Sequence, residues 1–229
     1  MQKIISILDM SYSIPHSDSI LEKLNLEVGP GEFLGILGHN GAGKTTLMDL
    51  LMGFRKKSSG KLEIFGEDPH AIARAHRKEI VFLSQEISIK SSITIGDFLE
   101  FHASFYPTYS KEEEAHLLNV FGLKAGQKIG SLSTGQQRKV QVVANLSVCP
   151  KLIMIDEITA VMDPETRSLF FRELERVRKK YGSAILLATN IAEDLVERSD
   201  KILFISGKKS SVHSPMEIAR LFNLVQESA

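Results

Sequence analysis

Hydrophobic and polar positions follow two rhythms along this chain. Leu24, Leu26 and Val28 alternate with polar residues, which predicts a half-buried strand, and Gly29-Pro30-Gly31 then turns the chain. Phe33–Leu37 is an unbroken apolar run, as expected of a strand buried on both faces. A glycine-rich loop follows, and Leu47, Leu50, Leu51 and Phe54 then fall at helical spacing. Ser59-Gly60 turns into a short strand at Leu62–Phe65, and Ile80–Leu83 is another apolar strand. From about residue 90 to 147 the pattern becomes helical. Thr94 and Asp97 open a run whose Phe98, Leu99, Phe101, His102 and Phe105 predict a core stripe rather than a binding surface, closed by Pro107. Ser110 and Glu113 predict a capping box before Leu117, Leu118 and Phe121, with Gly122 ending that helix. A third helix carries Val140, Val143, Ala144 and Ser147.

Strands return at Leu152–Ile155, Ala184–Ala188 and Ile202–Ile205, with a helix through Phe170, Leu174, Val177 and Tyr181 after the first of them. Ser214-Pro215-Met216-Glu217 predicts a capped helix near the C-terminus. Apolar strands alternating with helices indicate an α/β chain with a mostly parallel sheet covered on both faces, interrupted by an inserted helical block.

Composition narrows the function classes. At 229 residues the chain is long enough for a real core, and 43% hydrophobic with 24% charged residues excludes extensive disorder. Lys+Arg and Asp+Glu are 28 each, so the chain is formally neutral and carries no basic excess for nucleic acid. The single cysteine, Cys149, excludes an internal disulfide and a multi-cysteine metal site. There is no apolar stretch of about 18 residues to cross a bilayer and no secretory leader at the start, so a cytoplasmic location is expected.

The glycine-rich loop Gly38-His39-Asn40-Gly41-Ala42-Gly43-Lys44-Thr45 matches G-x-x-x-x-G-K-[ST]. Glycines let successive backbone N–H groups curl inward around an anion, and the following helix adds its positive end. Lys44 is placed for the β- and γ-phosphates, and the Thr45 hydroxyl for Mg²⁺, a hard cation that prefers oxygen. Leu152–Ile155 runs directly into Asp156-Glu157, two acids whose burial would be costly unless something neutralises them. A Mg²⁺–nucleotide does so: Asp156 holds the metal through water and Glu157 polarises an attacking water.

At this point the residues resemble the nucleotide-binding subunits of ATP-binding-cassette (ABC) transporters. Leu132-Ser133-Thr134-Gly135-Gln136 is similar to the Leu-Ser-Gly-Gly-Gln signature of that family. Gln85 matches the family's Q-loop, Tyr12 its adenine-stacking aromatic and Asp163 the end of its D-loop. The resemblance covers nearly the whole chain. It implies a P-loop NTPase (RecA-like) fold with an N-terminal antiparallel β-subdomain, a nucleotide-binding core over 1–88 and 149–229, and a helical subdomain over 89–148. It implies ATP and Mg²⁺ as cofactors, with Tyr12, Gly38, His39 (backbone only), Asn40, Gly41, Ala42, Gly43, Lys44, Thr45 and Thr46 on the nucleotide. Ser133, Gly135 and Gln136 reach the γ-phosphate of a partner subunit's ATP; Thr45, Gln85 and Asp156 serve the metal; Glu157, Gln85 and Asn190 serve catalysis. The implied partners are a second ABC subunit, identical or different, and a separate transmembrane permease on the inner face of the membrane.

Four departures from the family pattern stand out. Thr134 replaces a glycine of the signature, Ile158 a proline after the glutamate, and Ala160-Val161-Met162 a Ser-containing D-loop. Asn190 stands where a histidine normally contacts the γ-phosphate. It still donates an amide hydrogen bond but cannot titrate, and losing one preorganised donor costs about 10²–10³ in rate. The expected function is therefore an ATPase subunit of a transporter. The Phe105-Tyr106-Pro107 boundary loosely resembles small exporters. A catalytically weakened regulatory subunit and a nucleotide-gated dimer outside transport stay open as alternatives.

Overall fold

A computed structural model describes residues 3–14, 19–84 and 92–224. The elements follow as β1 (Ile5–Ser13), β2 (Ser19–Val28), β3 (Phe33–Leu37), α1 (Lys44–Leu51), β4 (Ser59–Ile64), α2 (Arg74–Arg77), β5 (Ile80–Ser84), α3 (Ile95–Ala103), α4 (Lys111–Val120), α5 (Thr134–Leu146), β6 (Leu152–Asp156), α6 (Pro164–Tyr181), β7 (Ala184–Thr189), α7 (Ala192–Val196), β8 (Lys201–Ser206), β9 (Lys209–His213) and α8 (Pro215–Leu221). The chain divides into two compact units, one drawn from Met1–Ala73, Met154–Glu157 and Ala184–Ala229, the other from Arg74–Ile153 and Ile158–Ser183.

The first unit contains two sheets. Strands β2, β1 and β4 form an antiparallel sheet in that order, with Ile7 opposite both Leu26 and Leu62. The alternation in β2 does what the sequence predicts, burying Leu24, Leu26 and Val28 while the intervening residues face water. Ser59 and Gly60 belong to β4 rather than to a turn before it, because Gly60 at φ +78° lies against Asp9, where a Cβ would come 2.3 Å from the Asp9 carbonyl. In the second sheet β6, entering with Met154–Asp156, is followed by β7, β3, β8 and β9. Strand β3 pairs parallel with both β7 and β8, and β9 returns antiparallel on β8. All of β3 and β7 is buried, as continuous apolar runs require. Gly35 admits α7: a Cβ there would meet Leu195 at 2.9 Å. Strand β9 (KSSVH) carries no apolar signal and was not expected from the pattern; the hairpin from β8 through Gly207 makes it.

The second unit is mostly helical, with β5 beside β6 at its strand edge. Ile95 and Leu99 of α3 are fully buried, but Phe101 and Phe105 are 64% and 52% exposed. The expected core stripe is thus narrower than its hydrophobicity suggested. Phe101 and Phe105 lie four residues apart on an outward face and satisfy each other edge to face at 5.0 Å. Phe54 is a similar correction: α1 stops at Leu51 and Phe54 lies beyond it, 66% exposed.

Caps explain most helix starts. Thr94 with Asp97, Ser133 with Gln136 and Ser214 with Glu217 make complete capping boxes on α3, α5 and α8. Ser110 caps α4 alone. The carboxylate of Glu113 does not return to the backbone, because it is buried in ion pairs with Arg176 and Lys180.

Candidate functional site

The loop between β3 and α1 gathers the polar chemistry of the first unit. Gly41 and Gly43 take φ of +81° and +104°, a region that side chains disfavour, so the loop curls as the motif predicts. Gly38 is fixed by contact, since a Cβ there would lie 2.7 Å from the Ile205 carbonyl. Helix α1 begins at Lys44 behind Gly43, with no side-chain cap and no acid in its first turn. Its first N–H groups therefore keep their donor capacity, and the helix dipole adds partial positive charge.

Lys44 is 3% exposed, and its ammonium reaches the Gly38 carbonyl at 2.8 Å, the His39 carbonyl at 3.2 Å and the Glu157 carboxylate at 3.0 Å. Asp156, at the end of β6, is 7% exposed. Burial pushes its carboxyl above the usual carboxylate range, against the lowering effect of a hydrogen bond with Thr45; Glu157 raises it further, and more weakly so does Asp49. One of its oxygens, Oδ1, is buried with no partner among the described residues. Glu157 has φ +53°, and its N–H donates to the Ala188 carbonyl at 3.0 Å. Asn190, just beyond β7, donates its amide toward Asn40 Oδ1 at 3.4 Å.

The structure thus brings Lys44, Thr45, Asp156 and Glu157 together, with Asn40 and Asn190 in contact alongside. His39 directs its ring Nδ1 onto the neighbouring Asn40 carbonyl at 2.7 Å. Tyr12, on β1, is 7% exposed, and its hydroxyl accepts from Arg55 at 3.2 Å; a base stacked on it would first have to uncover the ring. Asp49, which the motifs did not single out, adds negative charge near Asp156 and pairs with Arg55 at 2.7 Å. Its position one turn after Thr45 was the available signal.

Ser133, Gly135 and Gln136 lie in the second unit, at the start of α5. Ser133 Oγ accepts from the Gln136 N–H at 3.2 Å and Gln136 Oε1 from the Ser133 N–H at 3.0 Å, so both side chains cap the helix. Asp163 caps α6 by accepting from Thr166 at 2.9 Å. Gln85 lies outside the described residues.

A largely parallel sheet with a glycine loop, a buried lysine at a helix start and paired acids at the end of another strand of the sheet defines a phosphate-loop (P-loop NTPase) protein. The family model described as ABC transporter matches residues 21–160, and the chain belongs to that family. A methionine import ATP-binding protein, MetN, of Xanthomonas oryzae pv. oryzae is 32% identical over 212 residues, covering 88% of this chain and 63% of the relative. This chain therefore spans rather less than two thirds of the length of that relative. An energy-coupling factor transporter ATP-binding protein, EcfA2, of Caldanaerobacter subterraneus subsp. tengcongensis is 29% identical over 217 residues, covering 90% of this chain and 76% of the relative. Among solved structures, an ATP binding subunit of an ABC transporter superposes with a TM-score of 0.84 at 23% identity, covering 96% of this chain and 94% of the other. The structure of cbiO1 from Clostridium perfringens gives 0.81 at 22% identity, covering 98% and 93%. Both share the fold.

Proposed function

We propose that this chain binds and hydrolyses ATP as the motor subunit of a transporter whose membrane-spanning part is a separate permease. The observation that carries this reading is the convergence of Lys44, Thr45, Asp156 and Glu157 at the uncapped start of α1. The loop N–H groups and Lys44 take the β- and γ-phosphates. The unpartnered, buried Asp156 Oδ1 and the Thr45 hydroxyl are oxygen donors of the kind Mg²⁺ requires, so the residues fit that ion. Bound there, Mg²⁺ supplies charge neutralisation at the phosphate oxygens. Glu157 accepts the proton of the attacking water, and Asn190 offers a neutral donor beside the loop.

In the same reading Gln85 links metal to permease, and the helical segment carrying Ser133, Gly135 and Gln136 completes a second subunit's site. The start of α5 then serves that subunit's γ-phosphate as the start of α1 serves its own. No helix of the described residues is long and apolar enough to cross a membrane. The outward direction expected from Phe105-Tyr106-Pro107 finds no support among the relatives; MetN is named for import, and inward transport is the reading they favour. One observation keeps a second reading, a slow regulatory subunit: Asn190 cannot titrate and already engages Asn40.

Calorimetry and turnover of the chain co-purified with its permease test the proposal. Magnesium-dependent ATP uptake is expected and should be lost in Lys44→Ala. Turnover should rise with the permease and fall about 10²–10⁴-fold in Glu157→Gln. No magnesium-dependent uptake, or steady turnover by a strictly monomeric chain, overturns it.

A further inference from the structure

Lys44 has three ammonium protons, and the described residues give it three acceptors: the Gly38 carbonyl at 2.8 Å, the His39 carbonyl at 3.2 Å and Glu157 Oε1 at 3.0 Å. A phosphate oxygen that comes to this ammonium must therefore displace one of them. The two carbonyls belong to the loop backbone. Gly38 has the Ile205 backbone close against its Cα, where a Cβ would lie 2.7 Å from the carbonyl, and the His39 carbonyl also accepts from the Ala42 N–H at 3.1 Å. Neither can leave without unwinding the loop.

Glu157 differs on both counts. Its backbone is held by the bond to the Ala188 carbonyl, but its side chain is 30% exposed and can turn away by rotation about its own bonds. It is the acceptor that can yield at least cost. The exchange is also matched in charge, one anionic oxygen replacing another on the same buried cation.

We infer that Glu157 is a latch on Lys44, and that the phosphate end of a nucleotide enters by taking the place of its carboxylate, freeing that carboxylate to act on water. The inference rests on the nucleotide reading above and adds regulation to it: the base is tied down until the group it serves has arrived. A diphosphate suffices to release it, because the step is substitution at Lys44 and not hydrolysis.

The test is ADP binding to the whole chain without magnesium, by calorimetry, for wild type, Glu157→Gln, Glu157→Asp and Lys44→Ala. Glu157→Gln removes the charge. Glu157→Asp keeps it but withdraws it by one methylene from Lys44. If the latch exists, both variants bind ADP more tightly than wild type, by about threefold to tenfold for loss of one partly exposed ion pair. Tightening in Glu157→Gln with wild-type affinity in Glu157→Asp means simple charge repulsion and overturns the latch, as does no change in either. If Glu157→Gln does not fold, Glu157→Asn takes its place, since Asn tolerates the left-handed backbone at this position. If ADP uptake by wild type appears only when magnesium is added, substitution at Lys44 alone does not suffice and the latch is overturned; if none appears even with magnesium, the nucleotide reading itself has failed.

Discussion

Two buried carboxylates in this protein are treated in opposite ways. Glu113, in the helical unit, is 2% exposed and meets Arg176, Lys180 and Tyr181, the last two at 2.7 Å. Burial alone pushes its carboxyl up, but Arg176 first, then Lys180 and Tyr181, outweigh it and bring it down to about 2. Glu173 sits beside it on α6, sharing Arg176 and accepting from His116 at 2.9 Å. Asp156 is 7% exposed with one oxygen unpartnered among the described residues, and burial dominates, so its carboxyl is raised. A buried charge met by several donors ties elements together. A buried charge left partly unanswered costs stability and marks a place where something is to bind.

The sharpest way to break this contrast is to neutralise each acid in turn. Glu113→Gln leaves Arg176 and Lys180 without their anion and should lower unfolding stability by about 2–4 kcal/mol, read by urea or thermal unfolding. An unchanged midpoint would show that the cluster ties nothing. The same cluster predicts a pH dependence. The Glu113 carboxyl is depressed in the folded chain, so its stabilisation is fully present above about pH 4.5 and is lost as pH falls from there toward 2. Glu113→Gln should flatten the acid limb of a stability-against-pH curve in that window; an identical limb would refute the assignment.

Asp156→Asn should behave in the opposite sense. Removing an incompletely paired buried charge should leave stability at neutral pH unchanged or raise it by about 1 kcal/mol, while magnesium-dependent nucleotide affinity falls. A large loss of stability would make Asp156 a structural ion like Glu113. The smallest effect is expected at Asn190, whose amide already contacts the loop. In the proposed transporter, Asn190→His should raise turnover several-fold without altering ATP affinity, and equal turnover would show that an imidazole at this position is not limiting.

The legible parts of the molecule were those fixed by local rules. The apolar runs at Phe33–Leu37 and Ala184–Ala188 could only be buried strands, and Thr94, Ser133 and Ser214 announced their helices through the acids or amides three residues on. At Ser110 the rule held for the helix start but not for the complete box, because the Glu113 carboxylate was claimed by partners more than 60 residues away in sequence. The expectation of a core stripe failed at Phe101 and Phe105, where helical spacing was right but that face stays exposed among the described residues. Strand β9 was invisible because its pairing with β8, and not its own residues, makes it a strand.

The sequence by itself determined the chemistry available: a loop of glycines ending in Lys44-Thr45, two acids after a buried strand, and an Asn where a titrating group is usual. Motif and spacing are properties of neighbours along the chain, so they survive without coordinates. Only the tertiary structure decided how those groups are occupied: that Glu157 holds Lys44, that Thr45 meets Asp156 while one of its oxygens stays unpaired, and that Glu113 spends its charge on α6. Burial and pairing depend on which distant segments arrive at the same place, and no local pattern records that.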